Sequence, residues 1–305
     1  MSQGLFHRRD TLLAAALLCT IGGCASRSAP ASHPVSRGEA KPAAKRVTAR
    51  AADTDGSVLI VEYHNIAKKE ARWSRSENRF RSDLQRLYDM GFRPVTVSAY
   101  LDDKMDLPPG ASPIVFTFDD ADPTQFRILP DGKIDPDCAV GIWQAFAKDH
   151  PDFPVVATFY VLPVLWNQKS AAARKLEMLR QWGCEIGCHT FTHRSLGTLS
   201  DAEVKTEIQR SVDLIASLGF KAETIALPYG VSPKNKALLK GFTLDGKQYG
   251  FRAALLVGAG PAPAPRSPKL NPYRLPRIQG IEGDYGITYW LDKVKAGKVK
   301  PYVAP

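Results

Sequence analysis

The stretch from Pro113 to Asp122, PIVFTFDDAD, limits what this chain can fold into more than any other. An apolar run from Ile114 to Phe118 follows a proline and stops at two adjacent carboxylates, Asp119 and Asp120. A run so short, and so rich in β-branched and aromatic residues, reads as a buried strand. Strands buried on both faces belong to parallel sheets covered by helices, and ligands in such folds collect where the strands end. Two neighbouring carboxylates resist joint ionisation, so a cation beside them is a natural partner. A solvated Asp-Asp turn is the plain alternative.

A second stretch, CEIGCHTFTH at residues 184–193, weakens that alternative. Its strand-like piece ends at His189, and His193 follows four residues later. One aspartate with two histidines suits a zinc or similar divalent ion that keeps a position open for water.

FTFDD (Phe116 to Asp120) followed by HTFTH (His189 to His193) resembles the polysaccharide deacetylases of the NodB-homology type, the family-4 carbohydrate esterases. Their pattern is TFDD, then H-[ST]-x-x-H, then R-x-P-Y. VLIVEYHNI (Val58 to Ile66) is similar to the first strand of the branch that includes the poly-N-acetylglucosamine deacetylases. Phe80, Leu84 and Leu87, followed by Gly91 to Thr96, resemble the helix and second strand of that branch. ALPYG (Ala226 to Gly230) resembles the third motif. The resemblance extends from about Ser57 to Tyr229. It implies a single-domain α/β fold, a distorted (β/α)7 barrel.

Further strands and helices alternate along the chain, which fits a barrel with its site at the C-terminal strand ends. Strands are expected at Val58–Tyr63, Val95–Val97, Val155–Val161, Thr224–Leu227 and Phe251–Val257. Helices are expected over residues 77–90, closed by Gly91, and over Ala171–Trp182, closed by Gly183. Ser200 to Glu203 reads as a capping box ahead of the apolar stripe Val204, Ile208, Val212 and Ile215. Residues 122–136 form a long, turn-rich connection that starts at the Asp-Asp motif and is expected over the mouth of the site. Pro261 to Pro276 reads as extended loop, and Tyr289 to Lys295 as a short last helix.

The N-terminus is expected to lie outside this fold. Arg8 and Arg9 precede an apolar run from Thr11 to about Ile21, then Gly22-Gly23-Cys24, the layout of an export signal over residues 1–23. The run is short for a membrane span. Ile21 to Cys24 resembles a bacterial lipobox, which would make Cys24 a lipidated N-terminus on the periplasmic side of a bacterial envelope. Plain secretion is the alternative, and either Sec or twin-arginine export fits the arginine pair. Residues 24–56 are rich in Ala, Ser, Pro, Lys and Arg, a composition that cannot bury a core and reads as a tether. The catalytic domain is expected over residues 57–305.

Net charge is +10 over 305 residues, but no base-binding motif is present, and an exported protein meets little nucleic acid. No protein partner is inferable from the sequence. Cys184 and Cys188 lie in one strand, roughly 13 Å apart at ~3.3 Å per residue, beyond disulfide reach. Cys188 is expected to face away from His189, so a thiolate-ligated metal is disfavoured.

The resemblance assigns roles residue by residue. It implies that Asp120, His189 and His193 hold a divalent metal, zinc or else cobalt or nickel. Asp119 would be the general base, and the backbone N–H of Tyr229 would stabilise the oxyanion. The activity implied is removal of N-acetyl groups from an envelope or extracellular polysaccharide. An O-acetyl esterase on the same site, or a carbohydrate-binding relic without turnover, stays open.

This chain departs from the pattern at several points. Ala121-Asp122 follows Asp120 where glycine is usual, and Asp122 could join the site. Ala226 stands where the third motif has its arginine, the residue that orients the base; Arg277 is the candidate replacement. No histidine follows His193, so the late histidine motif is missing. His64, after the first strand, is the candidate general acid or substrate contact, with a structural histidine as the alternative. Trp73, Trp166, Tyr229, Tyr285 and Trp290 are candidates to stack on sugar faces.

Overall fold

Eight strands, all paired in parallel, form one curled sheet in the computed structural model, which describes residues 50–305. In chain order they are β1 (Leu59–Tyr63), β2 (Phe92–Val95), β3 (Ser112–Asp119), β4 (Thr158–Val161), β5 (Glu185–Cys188), β6 (Thr224–Ala226), β7 (Ala253–Leu255) and β8 (Ile278–Gln279). The spatial order is β7-β6-β5-β4-β3-β1-β8, with β2 also paired to β3. The segment entering β8 pairs with β7 at Leu255–Leu275, while β8 itself pairs with β1 at Val61–Ile278. The sheet thus curls into the expected distorted (β/α)7 barrel in a single domain. The expected export signal and most of the expected tether lie outside the described residues. Among those described, no helix is long and apolar enough to cross a membrane.

The pleat divides each strand between two cores. Leu59, Val61 and Tyr63 of β1, and Ile114, Phe116 and Phe118 of β3, face the helices; Val58, Ile60 and Val115 face the barrel interior with Tyr160, Leu255 and Leu275. The outer layer is aromatic: Phe118 stacks on Phe159 at 5.0 Å, and Tyr63 lies 5.7 Å from Phe118. By the same two-residue period Glu62, Thr117, Asp119 and Arg277 point inward. Space there is tight; a Cβ at Gly187 would lie 2.3 Å from the Tyr160 ring, so only glycine fits opposite that tyrosine.

Helices follow the local signals. Helix α1 (Glu77–Asp89) is capped by the Ser76 side chain, and Gly91 takes the left-handed φ of 80° just beyond its end. Helices α2 (Val97–Leu101), α3 (Ala139–Asp149) and α4 (Lys169–Gln181) follow. Helix α5 (Asp201–Ser217) carries the full capping box between Ser200 and Glu203. A last long helix spans Ile287–Lys295.

Two local expectations are corrected. The strand expected at Val95–Val97 ends at Val95, because the Thr96 hydroxyl caps α2 by accepting from the Ala99 N–H. The folded region also begins before Ser57: Arg50 donates to the Gly110 carbonyl and the Ser112 hydroxyl, and Asp53 pairs with Val303. The three described cysteines are free and buried, and Cys188 turns to Ser211 of α5, away from the barrel interior.

Candidate metal and catalytic site

A cavity of about 250 Å³ opens at the C-terminal ends of the strands, lined by His64, Asn65, Trp73, Asp119, Asp120, His189, His193, Tyr229 and Val257. The segments after β1, β3, β5, β6 and β7 all contribute. Their turns are tight. Asp120, Ala121, Thr190, His193 and Tyr229 all have left-handed φ, between 55° and 76°. Such conformations cost energy in non-glycine residues and cluster where side chains must be aimed.

Asp120, His189 and His193 are, among the described residues, the group whose atoms could jointly hold an ion, all within 4.8 Å of one another. The Nδ1 of His189 faces the Ala226 carbonyl at 2.9 Å. That bond assigns the proton to Nδ1 and leaves a lone pair on Nε2. This lone pair lies 3.3 Å from Asp120 Oδ1, and His193 Nε2 lies 3.5 Å from the same oxygen. Asp120 Oδ1 and His189 Nε2 are buried and have no hydrogen-bond partner. A proton can serve two of the three converging acceptors; a divalent cation serves all three, and the donor set suits zinc-like ions. The residues present therefore fit the metal.

Asp119 lies beside this cluster, fully buried, with Oδ2 3.9 Å from His189 Nε2. Arg277 grips it with two parallel bonds of 2.8 Å, Nη1 to Oδ1 and Nη2 to Oδ2. Burial, the largest influence, raises the Asp119 pKa, but the Arg277 charge, His189 and the Arg277 hydrogen bonds together hold it well below the usual carboxylate range. Asp119 is thus ionised near neutrality, with lone pairs left over to accept a proton. Asp120 is shifted down as well: burial, the largest influence, raises it, while the adjacent His189 more than offsets that.

Each residue singled out in the sequence has a definite place. Asp119, Asp120, His189, His193, His64 and Tyr229 share the cavity, and Arg277 lies beneath it. His64 stands 4.7 Å from the Trp73 ring, and burial lowers its pKa despite the opposing Asp119 and Asp120 charges. Tyr229 is 64% exposed, its ring 4.9 Å from His193. Asp122 stays outside the cavity, accepting from the Thr124 N–H and hydroxyl as a turn-former. The 122–136 connection does not line the cavity either; Thr124 and Gln125 turn it against the end of β1. Trp166 is fully buried with Phe126 and Phe159, so it is a core residue and faces no sugar.

Three supporting residues escaped the sequence reading. Glu62 pairs with Arg277 at 2.8 Å. Gln125 donates from Nε2 to the His64 and Asp119 carbonyls, tying two strand ends together. Glu207 of α5 accepts the N–H groups of Phe191 and Thr192 and the Thr192 hydroxyl, which fixes the loop between the two histidines. Glu62 and Glu207 had a readable signal, a carboxylate on the apolar face of a strand and of a helix. Gln125 had none.

The fold and this site together resemble those of the carbohydrate esterase 4 deacetylases. Residues 106–249 match the family model described as polysaccharide deacetylase. Among solved structures it is similar to the Streptococcus pyogenes deacetylase PplD in complex with acetate, at 20% identity and a TM-score of 0.58, over 78% of this chain and 98% of that one. It is similar to BC0361, a polysaccharide deacetylase from Bacillus cereus, at 18% identity and a TM-score of 0.57, over 79% and 69% of the two chains. It is also similar to IcaB from Ammonifex degensii, at 18% identity and a TM-score of 0.53, over 78% and 96%. At these identities the likeness establishes the fold. No curated protein matches the chain.

Proposed function

We propose that this protein is a metal-dependent hydrolase that removes N-acetyl groups from an N-acetylhexosamine-containing envelope or extracellular polysaccharide. The observation that carries the reading is the convergence of ligand atoms on Asp120, His189 and His193, two of them buried and unpartnered, directly beside an ionised, arginine-held Asp119. A divalent ion held by those three residues supplies Lewis acidity toward the acetyl carbonyl and makes water more acidic.

The chain's own residues account for the remaining needs of amide hydrolysis. Asp119 takes the proton of the attacking water, and Arg277 keeps its carboxylate oriented for that transfer. The Tyr229 backbone N–H, on its left-handed turn, donates to the oxyanion that develops from the carbonyl. His64, beside Trp73, protonates the departing amine or contacts the sugar. Acetate and a free amine result. The pocket is open enough for an exposed Tyr229 ring and the Trp73 ring to face a saccharide. Lipidation at Cys24 and retention at the envelope belong to the same proposal and rest on the Ile21–Cys24 pattern.

The test is acetate release by the full chain loaded in turn with zinc, cobalt or nickel, from N-acetylglucosamine oligomers and peptidoglycan, with and without chelator. Metal-dependent release that disappears in Asp119→Asn, with metal binding retained, is the expected result. Release only from O-acetylated polymers would replace the N-deacetylase reading by an esterase. Metal binding without release from any of these would leave a carbohydrate-binding protein.

A further inference from the structure

Among the described residues, the large hydrophobic side chains that stay exposed are Val164, Tyr229, Val231 and Tyr285, and all four follow the C-terminal ends of strands β4, β6 and β8. The face that carries the cavity therefore also carries these side chains. Exposed apolar groups gathered on one face, rather than scattered singly, mark an interaction site. The cavity, at about 250 Å³, is smaller than the roughly 300–1,000 Å³ usual for a ligand pocket, so most of a polymer chain would lie outside it. Tyr285 is 62% exposed, with the Tyr289 ring 5.2 Å away and the Trp290 ring 6.4 Å away.

This aromatic cluster borders the cavity. Val257 lines the cavity wall, and the glycines after it run between that wall and the cluster. A Cβ at Gly258 would lie 3.2 Å from the Gln279 side chain, and one at Gly260 3.0 Å from the Trp290 ring. Gln279 in turn bridges to Gly286, next to Tyr285. The turn that carries Tyr285 is tightly built. Trp290 Nε1 donates to the Tyr285 carbonyl at 3.0 Å, and a Cβ at Gly286 would lie 2.2 Å from the Ile281 carbonyl oxygen. Glu282, on the same turn, accepts from Arg75 Nη1 at 2.8 Å and from the Thr288 hydroxyl at 3.2 Å. Buried Arg75 is itself forked onto Asp83, Nε to Oδ2 at 2.8 Å and Nη2 to Oδ1 at 2.7 Å, two residues after Trp73 of the cavity wall. One arginine thus ties the turn of Tyr285 to the segment of Trp73. Tyr285 has a left-handed φ of 63°, which costs energy in a tyrosine, and its ring buries little in return, so core packing does not account for it.

We propose that Tyr285, backed by Tyr289 and Trp290, is a saccharide-binding platform outside the cavity, which takes a pyranose unit of the same polymer whose acetylated unit occupies the cavity. A pyranose presents a face of C–H groups edged by hydroxyls, and a tyrosine offers an apolar ring face with a polar tip to match. The substrate class that follows is a chain of several sugars and not a free monosaccharide.

The platform rests on the deacetylase reading, and the experiment separates the two. In the full metal-loaded chain, Tyr285→Ala is expected to raise KM for an N-acetylglucosamine pentamer about three- to ten-fold, with kcat unchanged and the dimer unaffected. Tyr285→Phe, which keeps the ring, is expected to stay within about two-fold of wild type. If Tyr285→Ala fails to fold, Tyr285→Asn, which tolerates the left-handed φ, takes its place. Calorimetry reads the platform without turnover: wild type should bind the pentamer more tightly than the dimer, and Tyr285→Ala should lose that difference. A wild type that binds both equally, or a Tyr285→Ala variant whose KM is unchanged for the pentamer or raised as much for the dimer, overturns the proposal. So does a Tyr285→Ala variant that keeps its pentamer affinity and instead loses binding to phosphatidylglycerol vesicles, which would make the patch a membrane contact. A wild-type chain that releases no acetate yet binds the pentamer through Tyr285 keeps the platform and removes the deacetylase reading.

Discussion

Replacing Arg277 with methionine removes the only cation within hydrogen-bonding distance of two buried carboxylates among the described residues. Arg277, Asp119 and Glu62 are all essentially inaccessible to solvent, and the guanidinium makes the paired 2.8 Å bonds to Asp119 as well as the ion pair to Glu62. Breaking a buried pair by removing one partner costs about 3–5 kcal/mol, because the other charge remains uncompensated. Glu62 moderates the loss by taking up a proton, but Asp119 is held far below the usual carboxylate range and loses most of what holds it there. For a folded unit of this size each kcal/mol moves Tm by about 2–4 °C, so a drop of roughly 6–20 °C is expected. Misorienting Asp119, the proposed general base, should lower kcat by about 10²–10⁴-fold. Arg277→Lys keeps the charge and loses the fork, so it should melt nearer to wild type while kcat still falls at least about ten-fold. Thermal denaturation followed by circular dichroism, with acetate release on the same samples, measures both. A methionine variant that melts within about 2 °C of wild type and turns over normally would refute the reasoning, since no buried, arginine-dependent base could survive that change.

Other consequences are accessible to the same assays. His189→Ala removes the acceptor fixed by the Ala226 carbonyl, so stoichiometric zinc binding by calorimetry should be lost or weakened by at least about ten-fold; unchanged affinity would place the ion elsewhere. Glu62 has a folded pKa near 7, above its ordinary value of 4.5, so the folded state binds the extra proton and stability from this group falls as pH rises from about 4.5 to 7. Glu62→Gln should flatten that part of the stability–pH profile, and an unaltered slope would contradict the burial argument. Ser200→Ala removes both halves of the hydroxyl's exchange with Glu203 and should cost about 1 kcal/mol in urea denaturation.

The sequence alone determined the fold class and nominated the residues that line the candidate site. A buried strand ending in Asp119-Asp120 and a second ending in His189 sufficed, because parallel strands deliver their terminal residues to the same end of a barrel. Local boundaries were legible where local chemistry decides them, as at Gly91, Gly183 and the Ser200 capping box. Where two local preferences compete, the prediction slipped: Thr96 looked like part of a strand and serves as a cap.

Tertiary structure decided what depends on contacts distant in sequence. Asp119 and Arg277 are 158 positions apart, and only the strand order that places β1 between β3 and β8 brings them together. The sequence could nominate Arg277 as a replacement for the missing third-motif arginine, but could not show that it grips Asp119 with two parallel bonds or that buried Glu62 lies 2.8 Å from the same guanidinium. The loop at 122–136 was expected over the site and instead packs beside it, since the Thr124 hydroxyl accepts from the Ile66 N–H and Gln125 donates to the His64 and Asp119 carbonyls, which outweighs mere proximity to Asp120 along the chain. Short-range patterns record the conformation each segment prefers. Which buried charges share a partner is settled only when the sheet curls and removes the water that would otherwise have served them.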